Sequence, residues 1–166
     1  MTPAPFRILP LDGRARSGFV CASDPLTRYF QTQVSQDTRR RIAACTIALH
    51  PATDTIAGFY TLSAADIPMT ALPAEMTKRL PRYPTLPAAR LGRLAVDRRF
   101  TGQKLGSILL ADAVMRAAAS EVAVFAMVVD AKDAEAEAFY RHHGFSTYAS
   151  APGKLMAPLS ALLARN

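Results

Sequence analysis

Hydrophobic and polar positions follow different patterns in three stretches of the chain, and the first stretch combines strand and helix patterns. Phe6–Leu9 has the apolar run of a short strand that ends at a proline and an Asp-Gly turn. Asp24, which is followed by a proline, predicts the N-cap of a helix that continues at helical spacing to about Gln36. Apolar runs at Ile42–Leu49 and Thr55–Leu62 flank a polar turn and predict a β-hairpin.

The second stretch, residues 66–90, is rich in proline and contains one short helical run, Ala74–Leu80. Prolines at this density predict a semi-rigid surface segment of the kind that borders clefts. The third stretch alternates between strand and helix patterns. Its predicted elements are strand Leu91–Val96, helix Leu105–Ser120, strand Val122–Val129, helix Ala134–His143 and the short strands Phe145–Ala149 and Leu155–Ala157.

Together these elements predict an α/β fold. We expect one domain over residues 1–166, with a central mixed β-sheet flanked by helices on both faces. The continuous apolar run of Val122–Val129 is typical of a strand that is covered on both sides. Gly144, directly after the last helical pattern, predicts a left-handed residue that ends this helix.

The composition excludes several classes of protein. Half of the residues are hydrophobic and 20% are charged, which is incompatible with a disordered or collagen-like chain. No apolar run approaches the roughly 18 residues of a membrane span, and the N-terminus lacks the pattern of a signal peptide. We therefore expect a cytoplasmic protein without a membrane partner, in which Cys21 and Cys45 are reduced core residues.

The net charge of +7 is concentrated in the first part of the chain. Residues 1–100 contain 14 basic and 7 acidic residues, whereas residues 101–166 contain 6 of each. A one-sided basic surface is typical of proteins that bind polyanions, of which nucleic acid is the commonest. Solubility is an equally good explanation of a charge of this size in a small domain, so the charge alone leaves both explanations open.

A loop with two glycines joins the predicted strand Leu91–Val96 to the next helix and reads RRFTGQKLGS over residues 98–107. The first N–H groups of a helix have no carbonyl partner within the helix. Such a helix start can bind a phosphate group, because its N–H groups and its dipole favour negative charge. The loop lacks the spacing of a Walker motif or a dinucleotide fingerprint, and its glycines alone favour an ordinary strand-to-helix turn.

The wider context of this loop resembles the GNAT superfamily of acyl-CoA-dependent N-acetyltransferases. The resemblance rests on LGRLAV, VDRRFTGQKLG, SILLADAV, VFAMVVDA and DAEAEAFYRHHGF. In that family the loop reads Gln/Arg-x-x-Gly-x-Gly/Ala, and its amides hold the coenzyme A pyrophosphate. Here Thr101 replaces the Gln or Arg, and Lys104 replaces the first motif glycine. The Cβ of Lys104 disfavours a left-handed backbone, whereas its ammonium can contact a phosphate.

The resemblance implies acetyl-CoA as the acetyl donor and no metal. Tyr140 matches the tyrosine that faces the coenzyme sulfur and protonates the leaving thiolate, a role that suits a phenol with an ordinary pKa of about 10. Asp133 falls where many relatives have an Asn that touches the pantetheine arm. The implied coenzyme-binding residues are Leu94, Ala95, Val96, Thr101, Gly102, Gln103, Lys104, Leu105, Gly106, Ser107, Asp133 and Phe139.

Ordinary explanations are available for other features of the same region. Apart from the resemblance, Phe139 and Tyr140 are aromatic core residues of a short helix. His142 and His143 are adjacent in a predicted helix and point about 100° apart, so they cannot share a metal ion as an i, i+4 pair does. The acidic residues around Asp133 lack a compact ligand pattern and favour a solvated helix start.

A narrower resemblance covers nearly the whole chain. The segments FVCASDPLTRYF, QDTRRRI, GFYTLS, LPRYP and ARLGRLAVD are similar to the GNAT toxins of bacterial toxin–antitoxin pairs. This resemblance implies acetylation of the α-amine of aminoacyl-tRNA, neutralisation by a ribbon-helix-helix antitoxin, and a homodimer. The basic residues that would suit a tRNA acceptor stem are Arg39, Arg40, Arg41, Lys78, Arg79, Arg82, Arg90 and Arg93. Each of them is equally well explained as a solvated surface residue.

The implied reaction is a direct attack of the amine on the acetyl thioester in a ternary complex, with backbone amides near Leu94–Val96 polarising the carbonyl. An α-amine has a pKa of about 8 and an ester neighbour lowers it further, so we assign no general base. Two alternatives stay open. The first is a GNAT enzyme that acts on a small-molecule amine or a protein amine. The second is a non-enzymatic RNA- or protein-binding module on a GNAT scaffold, for which Lys104 is the main argument.

Overall fold

The computed structural model describes residues 6–165 and contains both strands and helices. The strands are β1 (Arg7–Pro10), β2 (Ala44–Leu49), β3 (Ile56–Pro68), β4 (Thr85–Val96), β5 (Ala126–Asp130), β6 (Ser146–Thr147) and β7 (Lys154–Pro158). The helices are α1 (Asp24–Thr32), α2 (Val34–Arg39), α3 (Ala74–Thr77), α4 (Leu105–Ala119), α5 (Ala134–His142) and α6 (Leu159–Ala164). The strands form a mixed sheet in the order β1-β2-β3-β4-β5-β7-β6, which confirms the predicted α/β class.

The chain divides into two compact units. Within the described residues, the first unit contains residues 6–63 and 92–113, and the second contains residues 64–91 and 114–165. The single domain that we expected over residues 1–166 stays a prediction.

The first unit is built on a buried aromatic cluster beneath antiparallel strands. β1 pairs with β2, and β2 pairs with β3, which confirms the predicted hairpin. The rings of Phe30 and Phe59 stack with centroids 4.3 Å apart, and Phe19 lies 4.8 Å from Phe30. All three side chains are at most 1% exposed. Full burial of such a side chain stabilises the fold by about 1.5–3 kcal/mol, so this cluster is the main anchor of α1 on the strands.

Both cysteines lie in the first unit as free, buried thiols, as predicted. Cys21 is 3% exposed and Cys45 is 6% exposed. Burial raises the pKa of the Cys45 thiol to about 12, so this side chain is a packing residue and not a nucleophile.

The second unit is centred on β5, which pairs in parallel with β4 and antiparallel with β7. Residues 126–129 are at most 1% exposed, as the continuous apolar run predicts. The predicted start of this strand at Val122 is wrong. β5 begins at Ala126, and Val122 is 74% exposed. The Val122 N–H donates to the hydroxyl of Ser120 at 3.1 Å, and this turn replaces the first predicted strand residues.

The first predicted helix differs from the observed structure at both ends. Its N-cap is Ser23, whose hydroxyl accepts from the Leu26 N–H at 3.3 Å, and Asp24 is the first helical residue. The helix also breaks at Gln33 into α1 and α2. The Ile42 N–H donates to the Asp37 carbonyl at 2.9 Å, so the chain closes α2 there and β2 starts two residues later than predicted.

The proline-rich segment contains more strand than we expected. β3 extends into the start of this segment and ends at Pro68. β4 begins at Thr85, whereas the strand was predicted to begin at Leu91. Pro87 lies one residue before the pairing of β4 with β5 begins at Ala88, and its carbonyl accepts from the Phe125 N–H at 2.9 Å. The predicted helix Ala74–Leu80 is shorter, since α3 covers only Ala74–Thr77.

The last part of the chain agrees with the prediction except at its short elements. α4 and α5 match closely, and Gly144 ends α5 with a φ of 100°. β6 stops at Thr147 because Ala149 and Ser150 are left-handed. β7 is slightly longer than predicted, and α6 was not predicted. None of the helices within residues 6–165 has the length and apolar character that a bilayer crossing requires.

Candidate active site

The loop between β4 and α4 has the backbone geometry of an open helix start. A single 3-10 turn, Arg98–Phe100, follows β4, and α4 begins at Leu105. Two residues before α4 are left-handed, Gly102 with a φ of 80° and Lys104 with a φ of 62°. The four residues that precede α4 are exposed. The loop therefore presents its backbone to solvent at the positive end of a helix dipole, which is the arrangement that binds phosphate groups.

Lys104 adopts the conformation that its Cβ was expected to disfavour. The left-handed region costs a residue with a Cβ about 1–2 kcal/mol, so the surrounding loop must impose this conformation. Lys104 thus stands in place of a glycine of the family motif and keeps a left-handed backbone that glycine adopts readily. Its ammonium adds a positive charge beside the α4 N-terminus, where an anion is already favoured.

A close approach between β3 and α4 fixes the position of this helix start. A Cβ on Gly58 would lie 2.9 Å from Leu109 Cδ1 and 3.0 Å from the Ala95 carbonyl oxygen. Leu105 and Leu109 are at most 1% exposed, and the Tyr60 hydroxyl donates to Asp112 at 2.5 Å. An isolated glycine within a strand pattern, such as Gly58 in the apolar run Thr55–Leu62, is a sign of such an approach.

Asp97, the residue directly after β4, ties the loop to the segment before α1. Its side chain is 1% exposed. Oδ2 accepts from the Val20 N–H at 3.1 Å, and Oδ1 accepts from the Arg99 N–H at 2.9 Å. The Arg99 guanidinium donates to both oxygens, each at 2.9 Å. Sequence reasoning missed this residue, although a carboxylate directly after a buried strand and two residues before an arginine is a recognisable turn signal.

The electrostatics of Asp97 follow from these contacts. Burial raises the pKa of Asp97, but the Arg99 guanidinium and the N–H groups of Arg99 and Val20 outweigh it and hold the pKa below its usual value. Asp97 is therefore an ionised, fully hydrogen-bonded clamp at the entry to the loop.

The other predicted coenzyme residues divide between the two units. Leu94 and Val96 are half-buried and Ala95 is buried at the end of β4, in the same unit as residues 101–107. Asp133 lies in the second unit as the N-cap of α5, where its carboxylate accepts from the Ala136 N–H at 2.8 Å. That N–H and the Lys132 ammonium lower the pKa of Asp133, so its first role is to cap the helix.

Tyr140 lies on α5, and its ring is in contact with two other aromatic rings. Its ring meets Phe139 edge-on at 5.2 Å and Phe145 at 5.5 Å, and its side chain is 8% exposed. Burial raises the pKa of Tyr140 to about 12. The phenol is therefore neutral at physiological pH and carries its proton, although the same shift makes it a weaker acid than an exposed tyrosine. Phe139 is half-buried and its ring lies 4.8 Å from that of His143.

The predicted RNA-binding residues differ in how far their charges are available. Arg39, Arg40 and Arg41 are exposed at the end of α2 in the first unit, and Lys78, Arg79 and Arg82 are exposed in the second. Arg90 forms an ion pair with Asp130 at 2.8 Å. Arg93 places its guanidinium 3.6 Å from the centre of the Tyr29 ring. Lys78 also pairs with Glu75, at 3.0 Å, so Lys78, Arg90 and Arg93 already have partners within the protein.

Within residues 6–165, no group of three or more His, Cys, Asp or Glu side chains is placed to hold a metal ion. His142 and His143 contact each other edge-on, with ring centroids 5.2 Å apart.

Comparison with known proteins identifies the family. A family model described as "Acetyltransferase (GNAT) domain" matches residues 42–147. The "tRNA-acetylating toxin" of Mycobacterium tuberculosis (strain ATCC 25618 / H37Rv) is 37% identical over 103 residues. That match covers 61% of this chain and 61% of the relative, which is less than two thirds of the relative's length.

Two solved structures are similar over nearly their whole length. "AtaT complexed with acetyl-methionyl-tRNAfMet" has a TM-score of 0.86 and 26% identity and covers 96% of this chain and 98% of that chain. "Crystal structure of AtaTR bound with AcCoA" has a TM-score of 0.80 and 25% identity, with coverage of 97% and 98%. Since the family model spans more than half of the sequence, the chain belongs to the GNAT family of acetyltransferases.

Proposed function

We propose that this GNAT acetyltransferase transfers an acetyl group from acetyl-CoA to the α-amine of aminoacyl-tRNA and so acts as the toxin of a type II toxin–antitoxin pair. The observation that carries the proposal is the exposed, left-handed loop at the start of α4, which suits the pyrophosphate of coenzyme A. The acceptor class is supported by the similarity to a tRNA-acetylating toxin and to a toxin structure that contains acetyl-methionyl-tRNA.

In this proposal residues 101–107 bind the coenzyme through backbone N–H groups, and Lys104 adds its ammonium. Asp97 holds the loop in the binding conformation through its bonds to Arg99 and Val20. Backbone amides at Leu94–Val96 polarise the thioester carbonyl, and Phe139 and Asp133 bind the pantetheine arm. Acetyl-CoA supplies an acetyl group that is activated as a thioester.

Tyr140 is proposed as the general acid. The neutral amine attacks the carbonyl carbon, the new C–N bond forms, and the C–S bond breaks. Tyr140 donates its hydroxyl proton to the departing sulfur and regains one from solvent, while the amine loses its extra proton to water. A buried phenol with a raised pKa is neutral at the pH of the reaction, so it always carries the proton that this step needs.

The basic side chains are proposed to bind the RNA. Arg39–Arg41, Lys78, Arg79 and Arg82 are exposed and suit phosphate contacts. Arg90 and Arg93 use part of their donor capacity within the protein, so their contribution to RNA binding is the smaller one. We further propose a homodimer in the cytoplasm and a ribbon-helix-helix antitoxin as the partner that neutralises the toxin.

The decisive experiment is incubation of the purified protein with acetyl-CoA and total charged bacterial tRNA, followed by nuclease digestion and mass spectrometry. The expected product is N-acetyl-aminoacyl-adenosine, and its side-chain mass identifies the amino acid. Calorimetric titration with acetyl-CoA is run on the same preparation. Coenzyme binding without this product would instead favour acetylation of a small-molecule or protein amine. Absence of both binding and product would favour a non-enzymatic GNAT scaffold.

A further inference from the structure

An exposed aromatic ring lies among cationic side chains between β3 and β4. We propose that this surface, formed by α3 and residues 78–84, binds an unpaired nucleotide of RNA by stacking its base on Tyr83. The proposal rests on the proposed function in that it takes RNA as the substrate. It adds a recognition element for the single-stranded part of that substrate.

The exposure of Tyr83 is unusual for this chain. Its side chain is 60% exposed, whereas the other four tyrosines are at most 8% exposed. The Tyr83 N–H donates to the Pro81 carbonyl at 3.0 Å, and a second proline, Pro84, follows it. Two fixed proline φ angles and this short turn limit the motion of the backbone that carries the ring. A residue whose backbone is already fixed loses less entropy when a base stacks on its ring.

The surface beside the ring is concave and partly apolar. A cavity of about 930 Å³ is lined by the backbone and side chains around Met69, Leu80 and Pro84, together with Tyr83. Small-molecule sites are typically about 300–1,000 Å³, so this space is large enough for a nucleotide.

The charge of this surface favours a polyanion. Lys78, Arg79 and Arg82 are exposed, and the acidic side chain at the cavity is Glu75, which pairs with Lys78 at 3.0 Å. Within residues 6–165, neither Arg79 nor Arg82 forms an ion pair. A second copy of this chain would present the same cations and be repelled if it docked here through the same patch. Phosphates are attracted, so the occupant that fits best is nucleic acid.

An unpaired base is the part of RNA that an exposed ring can recognise. Proteins bind single-stranded RNA with aromatic side chains that stack on splayed bases and with cations that follow the phosphates. In a duplex every base other than those of the two end pairs is already stacked on both faces. Aminoacyl-tRNA carries its amino acid on an unpaired 3′ end, so the proposed substrate provides such bases.

The test is a binding assay that needs no catalysis. Fluorescence anisotropy compares a short single-stranded RNA with a blunt duplex of the same sequence, for the wild type, Tyr83→Ala, Tyr83→Phe and Arg82→Gln. Val122→Ala, another exposed apolar residue of the second unit, is the matched control. Tyr83→Ala should weaken single-strand binding by about 5- to 150-fold, since each stacked base contributes about 1–3 kcal/mol. Tyr83→Phe and Val122→Ala should bind both RNAs like the wild type. Tyr83→Ala should bind the duplex with the same affinity as the wild type.

Arg82→Gln should weaken binding of both RNAs and reduce the slope of log K against log salt by about 0.7–0.9. Thermal unfolding and gel filtration of each variant complete the experiment. The proposal is overturned if folded Tyr83→Ala binds the single strand like the wild type. It is equally overturned if the substitution lowers the affinity for the single strand and for the duplex by the same factor. It is also overturned if the substitution changes the oligomeric state without changing RNA affinity. Because the wild type is assayed for acetylated product separately, failure of stacking and failure of the proposed reaction give different results.

Discussion

Tyr140 is the residue whose removal should separate chemistry from coenzyme binding. Tyr140→Phe keeps the ring contacts with Phe139 and Phe145 and removes only the hydroxyl. We expect kcat to fall by about 10²- to 10⁴-fold, the usual contribution of a general acid, with the Kd for acetyl-CoA unchanged. Tyr148→Phe, which alters an equally buried tyrosine of the same unit, is the control and should be nearly silent.

The raised pKa of Tyr140 makes a second, independent prediction about pH. Because that pKa is about 12, the phenol remains protonated throughout the neutral and mildly alkaline range. The rate should therefore rise as the acceptor amine loses its proton and then reach a plateau. Initial rates at saturating acetyl-CoA check this profile, and a decline of the rate between about pH 8 and 9, near the ordinary pKa range of amines and thiols, would remove Tyr140 from its proposed role.

Lys104 combines backbone strain with a useful charge, and two substitutions separate the two effects. Lys104→Gly removes both, whereas Lys104→Ala removes the charge and keeps the strain. Relief of a left-handed residue, less the backbone entropy of glycine, should raise the free energy of unfolding of Lys104→Gly by about 0.5–1 kcal/mol. Both variants should bind acetyl-CoA more weakly at low salt. Equal affinity of all three proteins would show that the ammonium does not contact the coenzyme.

Asp97 should link the stability of the loop to pH. A carboxyl whose folded pKa lies below its unfolded value of about 3.9 stabilises the protein above that pH and loses this contribution as the pH falls through the folded pKa. Asp97→Asn should lower the free energy of unfolding by about 1.5–3 kcal/mol at neutral pH. It should also make the free energy of unfolding less dependent on pH in the acid range. Chemical denaturation at pH 7 and below pH 4 checks this.

Asp12→Asn provides the matched control for Asp97. Asp12 also pairs with an arginine two residues along the chain, Arg14, and that pair lowers its pKa to about 2. Its side chain is 43% exposed, however, so its loss should cost less than about 1 kcal/mol. A weaker acetyl-CoA affinity in Asp97→Asn but not in Asp12→Asn would indicate that the clamp positions the loop. Equal effects of both substitutions would contradict that role.

At the scale of elements, the seat of α4 on β3 should control the coenzyme loop. The methyl group of Gly58→Ala would lie 2.9 Å from Leu109 Cδ1 and 3.0 Å from the Ala95 carbonyl oxygen. These distances are too short, so the buried Leu109 side chain or the backbone of β3 or β4 must shift. We expect a loss of about 1–3 kcal/mol in stability and a raised KM for acetyl-CoA. Gly13→Ala, whose Cβ would meet nothing within 4 Å, should change neither quantity. Unchanged KM in a folded Gly58→Ala protein would show that this contact does not set the loop geometry.

The ends of a helix or strand were predicted correctly where the local sequence sets them, and wrongly where contacts with distant residues set them. α4 and α5 were predicted nearly to the residue, because their apolar spacing and the terminal Gly144 are local signals. The break at Gln33 and the long strands β3 and β4 were not. The bond from the Ile42 N–H to the carbonyl of the buried Asp37 sets the end of α2, and pairing with distant strands sets the ends of β3 and β4. Single-sequence patterns carry little information about either kind of contact.

At the scale of the whole molecule, the uneven charge should determine how RNA binding depends on salt. Substitution of Arg39, Arg40 and Arg41 by Gln should weaken binding of tRNA and lower the magnitude of the log–log salt slope by about 2–3, if each arginine contacts one phosphate. Arg28→Gln, an exposed arginine outside this cluster, serves as a single-charge control. Titrations at several salt concentrations check the slope. An unchanged slope would place the RNA elsewhere on the protein.

The sequence by itself determined the α/β class, the GNAT resemblance, the helix start at residues 101–107 and Tyr140 as the candidate acid. The α/β class and the helix start depend on short stretches of chain, where spacing and residue type are sufficient, whereas the role of Tyr140 is what the family resemblance implies. Only the tertiary structure revealed that Asp97 clamps the loop to Val20, that Gly58 makes room for α4, and that Arg90 and Arg93 are already engaged. Each of these depends on contacts between residues far apart in the chain, and burial and hydrogen bonding at such contacts are decided by packing rather than by local pattern.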